Sequence, residues 1–212
     1  GAPTNAVKLV PDIVQTCRIC RTWAPVAPDT KAAVRIITRF NQAVQADLMF
    51  YADAGRAQQS DYIILHLIDE CIKWTVAVVV ANKETSIILD AMTMHWIRLY
   101  SAPEVLIWDG EGAMDSDEAK IWAGRWSIEL IVRPAGKKVW IAERHHEILR
   151  DQLHKFKVQL QTIADKINVS FQSILAESAL AKNILISTGD GSPYVSLYGR
   201  QPRLLPQLED II

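Results

Sequence analysis

The sequence predicts an α/β domain in which a five-stranded mixed sheet is flanked by helices. Three short runs rich in β-branched and apolar residues follow one another between residues 44 and 81. Two further runs, at 105–108 and 128–132, each follow a stretch with helical patterning, and the last third of the chain is also helical in pattern. At 212 residues, half of them hydrophobic, the chain is long enough for one large domain with a substantial core.

Hydrophobic runs of strand length define the predicted sheet. The second and third runs are separated only by Asp69-Glu-Cys-Ile-Lys73, which predicts an antiparallel hairpin. The fourth run is short and apolar throughout, as expected for a buried strand. The five predicted strands are Val44–Tyr51, Tyr62–Ile68, Trp74–Ala81, Val105–Trp108 and Ile128–Val132.

Four helices complete the predicted order. The clearest follows Glu143, where apolar residues recur at spacings of four, three, four and three and form one stripe: Leu149, Leu153, Phe156, Leu160 and Ile163. The other three helices are predicted at Ile87–Tyr100, Ser116–Trp126 and Phe171–Ile186. Three strands, a helix, a strand, a helix, a strand and two helices is the order of the RNase H-like fold.

Three carboxylates occupy positions in this order where a metal site would form. Asp47 ends the extended stretch Ala43-Val-Gln-Ala46, Asp109 follows the fourth strand, and Glu143 begins the long helix. Carboxylates are hard oxygen ligands suited to Mg²⁺ or Mn²⁺, and two such ions can clamp the attacking and leaving oxygens of a phosphodiester. Asp47, Asp109 and Glu143 are therefore the candidate catalytic and metal-ligating residues.

Other carboxylates compete for these roles. Glu147 lies one turn beyond Glu143 on nearly the same helix face. Asp69 is the best alternative to Asp47, but turn chemistry at the hairpin also explains an acidic residue there. The remaining alternatives are two residues near the first strands and three that fit a helix amino terminus: Asp53, Asp61, Asp115, Asp117 and Glu118.

Basic side chains cluster in sequence around Glu143. They could contact DNA phosphates near the scissile bond. Alternatively they form a solvated helix face, on which Arg150 pairs with Glu147 three residues earlier. The candidate DNA-binding residues are Lys137, Lys138, Arg144 and Arg150.

Charge is unevenly distributed along the chain. Residues 41–130 carry 14 acidic and six basic side chains, whereas residues 1–40 and 131–212 both carry a basic excess. This pattern fits a metal site with DNA-contacting flanks, although a formal net charge of −1 predicts weak DNA binding. No apolar run reaches about 18 residues, so we expect no membrane span, and three cysteines fit a reducing compartment.

Four segments, taken in chain order, carry a family resemblance. They are Ile13-Val-Gln-Thr-Cys-Arg-Ile-Cys20; Trp96-Ile-Arg-Leu-Tyr-Ser-Ala-Pro103 with Val105-Leu-Ile-Trp-Asp-Gly-Glu-Gly112; Ala142-Glu-Arg-His-His-Glu-Ile-Leu-Arg150; and Thr188-Gly-Asp-Gly-Ser-Pro-Tyr194 with Leu197-Tyr-Gly-Arg-Gln-Pro-Arg203. In that order they resemble half of a zinc module, the approach to the second Asp, the Glu-Arg helix start and the segment after the core. The family is the integrase of retroviruses and of gypsy- and copia-like LTR retrotransposons, and the resemblance covers most of residues 10–206.

The sequence departs from the family pattern in three places. Between Asp109 and Glu143 lie 33 residues, two fewer than is usual in the family. The segment 133–142 replaces the usual Pro-Gln-x-x-Gly approach to the Glu. No histidine precedes Cys17, so Cys17 and Cys20 would bind zinc only together with upstream histidines of a longer protein.

The resemblance implies an integrase catalytic core at residues 31–187, with a linker bearing the half zinc module at 1–30 and an extension at 188–212. It implies a polynucleotidyl transferase and endonuclease that uses two Mg²⁺ or Mn²⁺ ions to process element-DNA ends and join them to target DNA. A nuclear location and a homo-oligomeric working form follow, while a host tethering factor stays unidentified. The alternatives are a DDE transposase, or a domesticated or inactive core that only binds DNA or protein.

Overall fold

A five-stranded mixed sheet forms the centre of the fold, as the sequence predicts. The computed structural model describes residues 36–52, 62–109, 112–133, 140–163, 169–186 and 191–203. The chain divides between Ile36 and Ile37, and every element below belongs to the second unit. The strands are β1 (Ala43–Tyr51), β2 (Tyr62–Asp69), β3 (Thr75–Val80), β4 (Val105–Asp109) and β5 (Glu129–Arg133).

The strand order is β3-β2-β1-β4-β5, which is the topology of the RNase H-like fold. The three consecutive strands β1, β2 and β3 pair antiparallel, and the short Asp69–Lys73 connection is the predicted hairpin turn. β4 and β5 add parallel to β1, each after a helical crossover, because parallel neighbours need a long connection. The carboxyl ends of β1, β4 and β5 therefore point the same way.

Helices cover both faces of the sheet, and their bounds agree closely with the periodicity. The first, α1, runs over Thr85–Met92 and continues through a π-helical turn, Thr93–Ile97, to Arg98–Tyr100; the π turn is not predictable from the apolar spacing. The others are α2 (Asp117–Arg125), α3 (Trp140–Ile163), α4 (Phe171–Leu185) and a short α5 (Pro193–Tyr198). No helix among the described residues is long and apolar enough to cross a bilayer.

Alternation along β1 assigns its side chains to two separate cores. Val44 and Ala46 pack with α1 and α2 on one face. Met49 packs on the opposite face, against Leu149 and Leu153 of α3 and residues of α4. Asp47 has the strand parity of Met49, and therefore lies on the face covered by α3.

The apolar stripe of α3 is confirmed where its side chains are described. Leu149 and Leu153 are fully buried, and Phe156 packs partly buried against the same core. The stripe also extends further toward the amino terminus than its hydrophobic members predict, because Ala142, His145 and His146 are buried on the same side. Two histidines thus occupy positions that periodicity alone would give to aliphatic residues.

The Ser-Pro and Tyr-Gly motifs near the carboxyl terminus are the two ends of α5. The Ser192 hydroxyl accepts a hydrogen bond from the Val195 N–H, Pro193 occupies the first turn, and Gly199 ends the helix at φ 65°. Tyr194 and Tyr198 then contact the Trp74 ring before β3, which attaches this segment to the sheet.

Candidate metal and nucleic-acid site

The strand register brings two of the three candidate ligands level with each other. β1 and β4 pair from Ala43 with Val105 to Ala46 with Trp108, so positions 47 and 109 come next on adjacent parallel strands. Neighbouring strands lie about 4.8 Å apart. Asp47 lies within β1, which runs to Tyr51 as predicted through its pairing with β2; the stretch that Asp47 was predicted to end, Ala43-Val-Gln-Ala46, is the part of β1 that pairs with β4. Asp109 is described through its backbone, as the last residue of β4.

The Asp47 carboxylate is partly buried and contacts α3. Its side chain is 21% exposed. Oδ1 accepts a hydrogen bond from the Leu48 N–H at 2.7 Å, and Oδ2 lies 3.6 Å from Nδ1 of His146. This contact places the first two turns of α3 beside β1, and the same turns carry Glu143.

Glu143 and its rival Glu147 differ in exposure. Glu143 lies in the first turn of α3 and is partly buried, whereas Glu147, one turn later, is exposed. His146, which contacts Asp47, is only three residues from Glu143 and lies on the next turn of the helix. The structure therefore brings the Glu143 turn of α3 toward Asp47 and leaves Glu147 facing solvent.

A buried cluster of basic side chains, absent from the sequence predictions, surrounds His66, whose backbone lies opposite that of Asp47 in the β1–β2 register. The other members of the cluster are His145, His146 and Lys182. The His66 and His146 rings stack with centroids 4.9 Å apart. The signal was present in the sequence: counting back from Leu149 by three and by four residues reaches His146 and His145.

The histidines of this cluster are uncharged at neutral pH. Burial, reinforced by neighbouring positive groups, lowers the pKa of His145 to about 3 and that of His146 to about 4. Burial also lowers the pKa of His66 well below its ordinary value. Both ring nitrogens of His66 and Nε2 of His146 have no hydrogen-bond partner among the residues that the structure describes, so within this part of the chain the cluster is polar and incompletely satisfied.

Lys182 attaches α4 to the start of β3. The side chain is 1% exposed, and its Nζ donates a hydrogen bond to the Thr75 hydroxyl. The neighbouring Asn183 receives the Thr75 N–H and donates to the Thr75 carbonyl, both at 2.8 Å. Burial, and secondarily the charge of Lys73, lowers the pKa of Lys182 to about 7.

The oxygen atoms that could act as metal ligands near Asp47 suit a divalent ion. Asp47 offers carboxylate oxygens, the His146 ring beside it is uncharged, and Glu143 lies on the helical turn before His146. Among the described side chains, which do not include that of Asp109, no three His, Cys, Asp or Glu residues are grouped to bind a metal. Asp47 and Glu143 could therefore contribute two ligands to a site that needs Asp109 for its third.

The other candidate residues differ in their exposure and contacts, and some of them lie outside the described ranges. Arg144 and Arg150 are exposed on α3, and the charge of Arg150 contributes to the lowered pKa of His146, which places it close to the Asp47 contact. Asp69 is fully buried and accepts hydrogen bonds from the Asn41 and Ile72 N–H groups, as expected for a turn residue. The residues that lie outside the described ranges are Cys17, Cys20, Asp53, Asp61, Lys137 and Lys138.

The acidic residues before α2 have the structural role that their positions predict. Asp117 and Glu118 occupy the first turn of α2, and Ser116 caps it by accepting the Ala119 N–H. Asp115 pairs with Lys120 at 3.0 Å. These contacts explain the acidic cluster without a bound ion.

An open cavity of about 600 Å³ adjoins the site on the other face of the sheet. Its lining includes Leu48 and Trp108, the immediate neighbours of Asp47 and Asp109. The amino-terminal turn of α1, with Thr85 and Ser86, forms another wall. Trp108 is buried and packs in the core, as the sequence predicts.

Solved structures with a similar fold are retroviral integrase cores. One is the HTLV-2 integrase catalytic core domain in complex with magnesium, with a TM-score of 0.60 and 15% identity over 73% of this chain and 94% of that one. The BIV integrase catalytic core domain has a TM-score of 0.59 and 14% identity over 75% and 95% of the two chains. A chain of the simian T-cell lymphotropic virus intasome, in complex with a PP2A regulatory subunit, has a TM-score of 0.70 and 18% identity over 97% and 70%.

At these identities the likeness establishes the RNase H-like integrase-core fold. No protein-family model matches the chain, and no curated protein matches it by sequence.

Proposed function

We propose that this chain is the catalytic core of a retroelement integrase, a polynucleotidyl transferase that cuts and joins DNA. The observation that carries the proposal is the arrangement around Asp47. Position 109 is level with it on the adjacent parallel strand, and α3 brings the Glu143 turn across the same face. The likeness of the fold to solved integrase cores supports the same function.

Asp47, Asp109 and Glu143 would hold Mg²⁺ or Mn²⁺. Two such ions, when bound, activate a water or a DNA 3′-hydroxyl and stabilise the leaving 3′-oxygen in an in-line displacement at phosphorus. Magnesium is present in a solved HTLV-2 core with this fold, which is consistent with the same ion here. The protein itself would orient the carboxylates, because β1 and β4 are adjacent strands of one sheet and α3 packs on that sheet.

The exposed cations of α3 would bind the DNA backbone. Arg150 lies two turns from Glu143 on the solvent side, and Arg144 is adjacent to Glu143. Guanidinium groups bind phosphate oxygens with paired hydrogen bonds, so these residues would hold the scissile strand against the carboxylates. We extend the same proposal to Lys137 and Lys138.

The finer assignments follow from the sequence motifs. The Ser-Pro and Tyr-Gly-Arg-Gln-Pro segment at 192–202 supports an origin in a gypsy- or copia-like LTR retrotransposon. Element ends and target DNA would be the substrates, a homo-oligomer the working form and the nucleus the location. Dimeric and trimeric forms of the HTLV-2 core and an intasome are among the similar structures, which supports assembly.

A DNA-joining assay with one carboxylate removed tests the function. On a branched DNA that mimics a joined product, the wild-type chain with Mn²⁺ should reverse strand transfer. Asp109→Asn should abolish this activity while leaving the melting temperature of the metal-free protein within a few degrees, because it removes charge but little volume. Asp90→Asn, an exposed carboxylate on α1, is the matched control and should remain active.

Two variants on α3 separate the rival third ligands. Glu143→Gln should be inactive and Glu147→Gln active. The reverse result would move the ligand assignment to Glu147, and an Asp109→Asn variant with normal metal-dependent activity would refute the site.

A further inference from the structure

The contact between His146 and Asp47 joins two elements that must keep a fixed separation. Asp47 is on β1, and Glu143 is one helical turn before His146 on α3. Both would bind the same metal site under the proposed function. Because metal–oxygen distances are short and narrowly defined, a small shift of α3 relative to β1 would separate the two ligands.

His146 is held in place independently of any metal. Its side chain is 9% exposed, it belongs to the buried side of α3, and its ring stacks on His66. His66 is itself fully buried and lies directly opposite Asp47 in the β1–β2 register. The His146 ring therefore has a packed face, and its Nδ1 edge is the one that lies toward Oδ2 of Asp47.

The polar contacts of the ring are one-sided. Nε2 is buried and has no hydrogen-bond partner within the described ranges, whereas Nδ1 lies 3.6 Å from Oδ2 of the Asp47 carboxylate. Leaving a donor N–H buried without a partner is costly, so the tautomer with the proton on Nδ1, directed at Asp47, is the favoured one. Oδ1 of Asp47 accepts a hydrogen bond from the Leu48 N–H. Nδ1 of His146 lies just beyond hydrogen-bond distance of Oδ2, so a shift of a few tenths of an ångström would complete a second contact that limits rotation of the carboxylate.

We propose that His146 is a positioning residue, whose Nδ1 orients the Asp47 carboxylate and sets its distance from Glu143 for metal binding. The inference rests on the proposed function, because it assigns His146 a role at that same metal site. Polar groups that orient metal ligands commonly contribute 10- to 100-fold to metal affinity.

Two substitutions at position 146 and one control test this role. His146→Asn keeps an N–H donor on the atom bonded to Cγ, where Nδ1 stood. His146→Leu keeps an apolar side chain of similar reach without a donor. His145→Leu is the matched control, since His145 is equally buried on the same turn but is not the residue that contacts Asp47.

The primary readout is Mn²⁺ affinity without DNA, measured from free Mn²⁺ by electron paramagnetic resonance and from the melting temperature against Mn²⁺ concentration. We expect His146→Leu to weaken Mn²⁺ binding about tenfold or more, and His146→Asn to restore it to within about threefold of wild type. His145→Leu should bind Mn²⁺ as wild type does. Saturating Mn²⁺ should recover much of the DNA-joining rate of His146→Leu, because the ligands themselves remain.

Two results would overturn the inference. One is a folded His146→Leu variant with wild-type Mn²⁺ affinity. The other is equal loss of affinity in His146→Asn and His146→Leu, which would show that ring packing matters and the donor does not. If His146→Leu does not fold, His146→Gln replaces it, because its amide lies one bond beyond the Nδ1 position and should restore affinity less well than His146→Asn.

The outcomes also separate this inference from the proposed function. A wild-type chain that binds Mn²⁺ through Asp47 but never cuts or joins DNA would refute the function, while the tenfold effect of His146→Leu would still support the positioning role. Normal DNA joining with no effect of position 146 on Mn²⁺ affinity would refute the positioning role alone. Absence of Mn²⁺ binding in the wild type would refute both.

Discussion

Among single residues, exposure decides what each basic side chain on the last helices can do. Arg144 and Arg150 face solvent on α3, where they are available to a phosphate backbone. Lys182 on α4 is buried with its ammonium group against the Thr75 hydroxyl, where it lowers stability unless it loses its proton. The exposed arginines are therefore available to bind DNA, whereas the buried lysine lowers the stability of the fold, although all three residues are basic.

Replacing Arg150 by Ala should weaken DNA binding with little effect on stability. One lost phosphate contact lowers the slope of log affinity against log salt concentration by about one, with a similar loss on every DNA sequence. Fluorescence anisotropy with labelled duplex at several salt concentrations measures this slope. Lys120→Ala, on α2 and paired with Asp115, is the control. Unchanged binding with a less stable fold would instead assign Arg150 to a helix-face pair with Glu147.

Replacing Lys182 by Met should raise the free energy of unfolding at pH 7. The folded-state pKa of about 7 lies below the ordinary value of 10.5, so above pH 7 the unfolded chain binds the extra proton. Wild-type stability should therefore rise between pH 7 and 9, by at most about 1.4 kcal/mol per pH unit from this group. Urea unfolding at both pH values should show the advantage of Lys182→Met shrinking as the pH rises; a constant difference would contradict the lowered pKa.

At the scale of secondary-structure elements, α3 both closes a core and positions the site. Its buried side packs on Met49 and Ile64 through Leu149 and Leu153, and the same side carries His146 to Asp47. The π-helical turn of α1 on the opposite face is similarly anchored, since Thr93 accepts a hydrogen bond from the Trp122 indole N–H of α2. Site geometry thus depends on helix packing.

Leu149→Ala should destabilise the protein by about 2–5 kcal/mol, since it removes a fully buried side chain and leaves a cavity under α3. Denaturant unfolding measures the change. Val158→Ala is the matched control on the same helix, because Val158 is 48% exposed and should cost well under 1 kcal/mol. A similar cost for both variants would show that α3 does not pack through this stripe.

At the scale of the whole molecule, charge and metal binding are coupled to stability. Under the proposed function, the carboxylates of Asp47, Asp109 and Glu143 would meet at one site, where they would repel one another unless a cation were bound. An ion that binds only the folded chain stabilises it by mass action. Metal binding should therefore be visible without any DNA.

About 10 mM Mg²⁺ or Mn²⁺ should raise the melting temperature by a few degrees, because a dissociation constant near 1 mM corresponds to about 1.4 kcal/mol at that concentration. Differential scanning fluorimetry measures the shift, and Asp47→Asn should remove it. Ca²⁺ should also stabilise the fold without supporting DNA joining. A wild-type melting temperature that stays constant with both Mg²⁺ and Mn²⁺ would argue against a preformed site.

Local sequence patterns were enough to place most of the elements and to give the order of the candidate ligands along the chain. Alternation with period two and an apolar stripe with period 3.6 are local properties, so β1 to β5 and the long helix after Glu143 could be placed within a few residues. The short α5 was missed as a helix, although its Ser192 cap and terminal Gly199 were visible as motifs. The proposed roles of Asp47, Asp109 and Glu143 remain predictions.

Contacts between residues of different elements could not be predicted from these local patterns. The parallel register that sets position 109 level with Asp47 joins segments about 60 residues apart, and nothing in either strand alone specifies its partner. The same holds for the contact of His146 with Asp47 and for the burial of Lys182 against Thr75. Local periodicity reports which side of an element is buried, whereas the identity of the facing side chain depends on packing between elements, which no local pattern encodes.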